Sequence, residues 1–239
     1  MTGFSIALTV AYDGAPFSGF ARQEGRDTVQ GRLESALSTV LRREVETVGA
    51  GRTDAGVHAL GNVVSLPADG TEPEPGVLLR SLNALVGDGI AITEVRVAPG
   101  GFSARFDAVA REYRYRLVPG PVPPLFLRGV AWWTKGEIDL HAMRAAASAL
   151  LGEHDFKSFC VAESAEGKRT VRRIDLVEIE TACEMGERCI VVRVVGNAFL
   201  HSMVRAIVGS LVEVGTGRRG PEWLAEALAA CDRGAAGPT

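Results

Sequence analysis

The chain has 239 residues, 46% of them hydrophobic, with 26 basic against 29 acidic side chains and a formal net charge of −3. That is apolar mass enough to bury a core in one large domain or two small ones, and the net negative charge argues mildly against a nucleic-acid partner, whose phosphates favour basic surfaces, although distribution matters more than the sum. No apolar run is long enough to cross a bilayer, and the opening MTGFSIALTVAYDG, which meets Asp13 early, lacks the basic start of a signal peptide.

FSIALTVAYDG (4–14) alternates and ends on a turn signal, predicting a strand. Asp27 then offers a helix cap, with Gln30 three residues on reaching back, and Val29, Leu33, Leu37, Val40 and Leu41 make a helical stripe. Strands are predicted at 45–50, 62–66 and 90–98, with a short helix near 76–86 after the proline-rich TEPEPG. The order β-α-β-β-α-β defines a split-βαβ unit. REYRYRLV (111–118) predicts a further strand, 139–152 a helix, 170–180 and 188–196 a hairpin, and 199–215 and 221–232 two helices. A closing strand is due after the last helix, but the sequence stops at GAAGPT, so the second unit looks one strand short. The expected fold is α+β: two ferredoxin-like units, residues 1–103 and 104–239, sharing one broad, mostly antiparallel sheet with helices on one face.

GAGRTDAGVHALG (49–61) sets Arg52, Thr53, Asp54 and His58 among small residues between two predicted strands. A plain hairpin connection in which Asp54 caps its own turn is the simple alternative. Four glycines exceed what such a hairpin needs, and Arg52 and Asp54 bracket the space that small residues leave. Arg205 lies in SMVRAIVGSLV, a helix apolar nearly all round, where a buried guanidinium must find an anion. Snorkelling to the surface or pairing with a structural glutamate would satisfy Arg205; pairing with Asp54 would also explain the bend, because the cation would keep that carboxylate ionised. Such a carboxylate is a nucleophile or a general base.

Tyr113 and Tyr115 fall on one face of their strand and Arg114 and Arg116 on the other. The tyrosines are either ordinary core or a platform for stacking a base. The cations gather in REYRYRL, KRTVRR (168–173) and GRRG (217–220), rich in arginine as phosphate contacts prefer. His58, His201 and the other histidines lack metal-ligand spacing, so no metal is expected. Cys160, Cys183, Cys189 and Cys231 show no CxxC spacing and are expected as reduced thiols in a cytoplasmic protein, with a cross-strand pair of Cys183 and Cys189 as the alternative.

The chain resembles the tRNA pseudouridine synthases of the TruA type over nearly its whole length. The resemblance rests on YDGAPFSGF (12–20), TVQGRLESAL (28–37), GAGRTDAGVHALG (49–61), FSARFDAVAREYRYRL (102–117), LLGEHDFKSF (150–159) and NAFLHSMVRAIVGSLVEVG (197–215). The family signature RTDxGVHA falls on Arg52 to Ala59 without a mismatch. The resemblance places the nucleophilic aspartate at Asp54, the arginine associated with base flipping at Arg52, the active-site tyrosine at Tyr113 and the arginine that pairs with the aspartate at Arg205. It implies isomerisation of uridine to pseudouridine at positions 38, 39 and 40 of the tRNA anticodon stem-loop, by a homodimer and without a cofactor: the glycosidic bond breaks, uracil rotates and reattaches through C5. Whether the carboxylate attacks C1′, adds to C6 or takes a proton stays open. The family usually has GWQ where this chain has Gly19, Phe20, Ala21 and Arg22. A non-catalytic RNA-binding module and a metal-dependent hydrolase using Asp54, His58 and His201 are the rival readings of the same residues.

Overall fold

The computed structural model describes residues 4–239 in two units, the first ending at Ala108 and the second running from Val109 to Thr239. In the first, β1 (Phe4–Tyr12) turns Ile6, Leu8, Val10 and Tyr12 to one buried face, as strand alternation requires. α1 (Val29–Leu41) and α2 (Pro75–Leu85) lay Val29, Leu33, Leu37, Leu78 and Leu82 into the same core. With β2 (Val48–Gly49), β3 (Ala59–Pro67) and β4 (Ile90–Pro99), the sheet runs β2-β3-β1-β4, every pair antiparallel. This is the strand order of a split-βαβ unit.

Two local details differ from expectation. The cap of α1 is Thr28, not Asp27: its extended backbone lets the hydroxyl accept from Gly31 N–H at 3.2 Å. Asp27 instead takes a two-pronged contact from Arg32, at 2.8 and 2.7 Å. Gln30 does not reach back; its amide donates to the Thr47 carbonyl and accepts from Arg22 N–H, tying α1 to the chain on either side. The second predicted strand contracts to Val48–Gly49, while the third lengthens to nine residues.

The second unit contains β5 (Arg111–Pro119), β6 (Trp132–Thr134), α3 (Leu140–Ala147), β7 (Gly152–Asp155), α4 (Ala162–Ala165), β8 (Val171–Glu184), β9 (Glu187–Gly196), α5 (Met203–Gly215) and α6 (Trp223–Ala230). Its sheet runs β6-β5-β9-β8-β7, antiparallel except for β6 beside β5. Met185 and Gly186, both at positive φ, close the β8–β9 hairpin with the two-residue turn that matches strand twist. Leu117, Ile179, Val192 and Val194 pack against Met143, Ile207, Leu211 and Leu224.

The short edge strands β6 and β7 carry no alternation long enough to read in sequence. The strand pairings make a four-stranded sheet in the first unit and a five-stranded sheet in the second, with β5 between β6 and β9. No strand follows α6 among the described residues. The last residues instead lie on α5, with Gly237 N–H donating to Ser210 Oγ at 2.8 Å.

Candidate active site

The bend between β2 and β3 is clamped from several sides by its own unit. Asn62 holds Gly51 twice, its amide donating to the Gly51 carbonyl at 3.0 Å and accepting from the Gly51 N–H at 3.4 Å. Thr53 shares a 2.8 Å hydroxyl–hydroxyl hydrogen bond with Tyr12, and its carbonyl accepts from Phe20 N–H at 3.0 Å. Val57 N–H closes a turn onto the Asp54 carbonyl at 3.2 Å. At the far end His58 Nδ1 lies 3.0 Å from Asp13 Oδ1 and 3.3 Å from Gly14 N.

The glycines around the bend permit close approach more than they leave open space. A Cβ on Gly14 would collide with the Val57 carbonyl, and one on Gly49 would sit 2.6 Å from the Phe20 ring. Phe20 is fully buried, its ring centroid 6.1 Å from that of Tyr12. On this frame Asp54 is half-buried and Arg52 exposed.

Tyr12, Asn62 and Asp13 are the residues that sequence reasoning passed over. Tyr12 carried a legible signal: it continues the core-facing parity of Ile6, Leu8 and Val10, and a tyrosine on a core face needs a partner for its hydroxyl. Burial pushes its phenol above the ordinary value, partly offset by the hydrogen bonds from Thr53 and Asn62.

In the second unit Tyr113 and Tyr115 share the inner face of β5, as alternation predicts. Tyr113 meets Phe199 edge-on at 5.0 Å, and Tyr115 meets Trp132 at 6.5 Å. Burial raises the Tyr115 phenol, and the Arg205 charge draws it part of the way back. Arg205 itself is exposed, the one such position in a first turn whose neighbours Met203, Val204, Ala206 and Ile207 are buried. Its expected burial is therefore corrected: the side chain occupies the open face of α5, and the desolvation cost that called for an anion does not arise.

The arginines of REYRYRL are also committed more fully than their clustering suggests. Arg114 lies 2.7 Å and Arg193 2.8 Å from Glu112; Arg193 reaches Glu178 at 3.2 Å, and Arg116 reaches Glu184 at 2.6 Å. Arg193 first, then Arg114, holds the Glu112 carboxyl below the usual range. All four cysteines are free thiols, and Cys183 faces Arg188 across the hairpin while Cys189 faces Ala182. No group of three or more metal-ligating side chains occurs among the described residues.

The chain is thus an α+β protein whose first, split-βαβ unit carries Arg52 and Asp54 on a clamped bend. A family model described as "tRNA pseudouridine synthase" matches residues 8–107 and 146–239, and the chain belongs to that family, an isomerase acting on tRNA. Similar proteins named tRNA pseudouridine synthase A include one from Brevibacillus brevis, 43% identical over 98% of this chain and 93% of its own. Others come from Leptospira biflexa, 41% identical over 90% and 81%, and from Frankia casuarinae, 44% identical over 93% and 80%. A solved structure of an unknown protein from Galdieria sulphuraria aligns at 14% identity with a TM-score of 0.23, too remote to bear on the fold.

Proposed function

We propose that the chain converts uridine to pseudouridine at positions 38, 39 and 40 of the tRNA anticodon stem-loop, working as a cytoplasmic homodimer without a cofactor. Asp54 is the nucleophile. Arg52 enters the stack as the target base leaves it, a step that costs a few kcal/mol of unstacking. Tyr113 stacks on the extruded uracil, and Arg205 keeps Asp54 charged and oriented.

The observation that supports this most is the state of the bend in a chain of this family. Asp54 is half-buried on a backbone held by Asn62, Tyr12, Phe20 and His58, while Arg52 beside it is exposed to reach a substrate. A nucleophile gains from fixed placement, because orientation is prepaid before the substrate arrives. No helix among the described residues is long and apolar enough to cross a membrane.

The test is an unmodified tRNA transcript with uridines at 38 to 40, incubated with protein and mapped by carbodiimide. Wild type should mark those positions with excess EDTA present, and Asp54→Asn should mark none while still binding the transcript. Pseudouridine formed by Asp54→Asn at the normal rate removes Asp54 from its role, and marks elsewhere than 38 to 40 overturn the site assignment.

A further inference from the structure

We infer that the Tyr12–Thr53 hydroxyl pair is a positioning device for the bend, with Tyr12 a positioning residue of the isomerisation. The inference rests on Arg52 and Asp54 being the working side chains, as proposed above, and assigns a task to Tyr12 and to the hydroxyl of Thr53, the residue between those two.

Thr53 stands between Arg52 and Asp54 and is held at both ends. Its hydroxyl meets Tyr12 Oη at 2.8 Å, and its carbonyl accepts from Phe20 N–H at 3.0 Å. Because each peptide unit is planar, pinning residue 53 at side chain and carbonyl restricts the peptide units carrying its two neighbours. The anchor is itself rigid. Tyr12 is 5% exposed, closes the core-facing row of β1, packs against Phe20, and receives a long 3.5 Å contact from the Asn62 amide, which also grips Gly51. The hydroxyl network thus ties the bend to β1, the central strand of the sheet, which is hydrogen-bonded along both edges.

A purely structural tyrosine does not need this arrangement. The ring is already satisfied by apolar packing, so its hydroxyl adds a buried polar group whose one strong partner is the catalytic bend. Loss of that hydroxyl leaves the ring in place and releases Thr53.

The experiment compares Tyr12→Phe, Thr53→Val and the double variant in single-turnover pseudouridine formation with enzyme in excess, beside the Kd for tRNA and the thermal midpoint. Each single variant should slow conversion about tenfold, the rate equivalent of one hydrogen bond, with Kd unchanged. The double variant should also be about tenfold slow, since both changes delete one interaction. Wild-type rates in the singles, or a double variant slowed by about the product of the two, overturns the inference. So does a rate loss seen only where the protein has melted. Failure of the Asp54 assignment would register separately, as Asp54→Asn keeping its activity.

Discussion

Gly209 in the middle of α5 faces the Pro238 carbonyl so closely that a Cβ on Gly209 would collide with it. Beside it, Ser210 Oγ donates to the Ala206 carbonyl and accepts from Gly237 N–H, each at 2.8 Å. The final residues are therefore fitted into α5, the helix that carries Arg205. Glycine within a helix usually costs about 1 kcal/mol against alanine, so Gly209→Ala would ordinarily stabilise. Here the collision dominates, and overpacking costs about 1–3 kcal/mol. Gly209→Ala should lower the thermal midpoint and make the last residues accessible to carboxypeptidase. A raised midpoint with the tail still protected would show that the seat does not matter.

The cap of α1 separates two adjacent candidates. Thr28 is buried and its hydroxyl satisfies a first-turn N–H, so Thr28→Ala should cost about 1 kcal/mol. Asp27 makes an ion pair with Arg32 in which both side chains are about half exposed, so Asp27→Ala should cost roughly 0–1 kcal/mol. Urea melts of the two variants decide, and a larger loss from Asp27→Ala would reverse the assignment.

The way these residues resisted or yielded to sequence follows from their physics. The parity of β1 and the stripe of α1 are legible because burial imposes a period on a whole element. The cap was misplaced by one residue because Asp27 and Thr28 are both good caps, and only the extended backbone at Thr28 chooses between them. β6 and β7 are three and four residues long, too short to show a period. At the site, the signature residues stand out by their company of small side chains. The clamps Tyr12 and Asn62 lie ten residues or more from the residues they hold, and nothing local in the sequence records such a contact. Arg205 misled because its neighbours are apolar, yet a helix at the edge of a core can leave one position of a turn open.

Glu72 predicts a definite pH dependence. Burial pushes its carboxyl up, but the backbone N–H groups of Asp69, Glu72 and Gly70, with Arg43 at 2.9 Å, outweigh burial and hold it below the usual range. A lowered value contributes stability that is present above the unfolded carboxyl's range, near 4.3, and is lost as pH falls through the folded value. Glu72→Gln should therefore cost about 1–2 kcal/mol at pH 7, and the gap to wild type should narrow steadily below about pH 4. A gap of constant size from pH 7 to pH 3 would contradict the assignment.

Arg52 is exposed on its bend, so its removal should not disturb folding. Arg52→Ala should keep the wild-type thermal midpoint and slow single-turnover conversion by about 10–100-fold, since part of a few kcal/mol of unstacking then goes uncompensated. The loss should shrink on a transcript whose target uridine is already unpaired. Equal losses on paired and unpaired targets would assign Arg52 to binding or chemistry instead of base extrusion.

Phe20 tests how tightly the packing beneath the bend is set. The ring is 1% exposed, lies 6.1 Å from Tyr12, and leaves no room for even a methyl group at Gly49. Phe20→Trp adds volume where the strand entering the bend passes closest, so it should cost about 1–3 kcal/mol. The effect should reach activity as well. Phe20 N–H donates to the Thr53 carbonyl, and a backbone pushed aside by the larger ring shifts the peptide plane next to Asp54. Conversion should then slow at temperatures where the variant is still fully folded. Enlarging Phe20 together with a compensating reduction nearby, such as Val48→Ala on β2, should recover little, because Val48 is exposed and yields no space beneath Gly49. A Phe20→Trp protein as stable and as fast as wild type would mean that the site relaxes around the larger ring, and that the close approach at Gly49 is not a constraint on the bend.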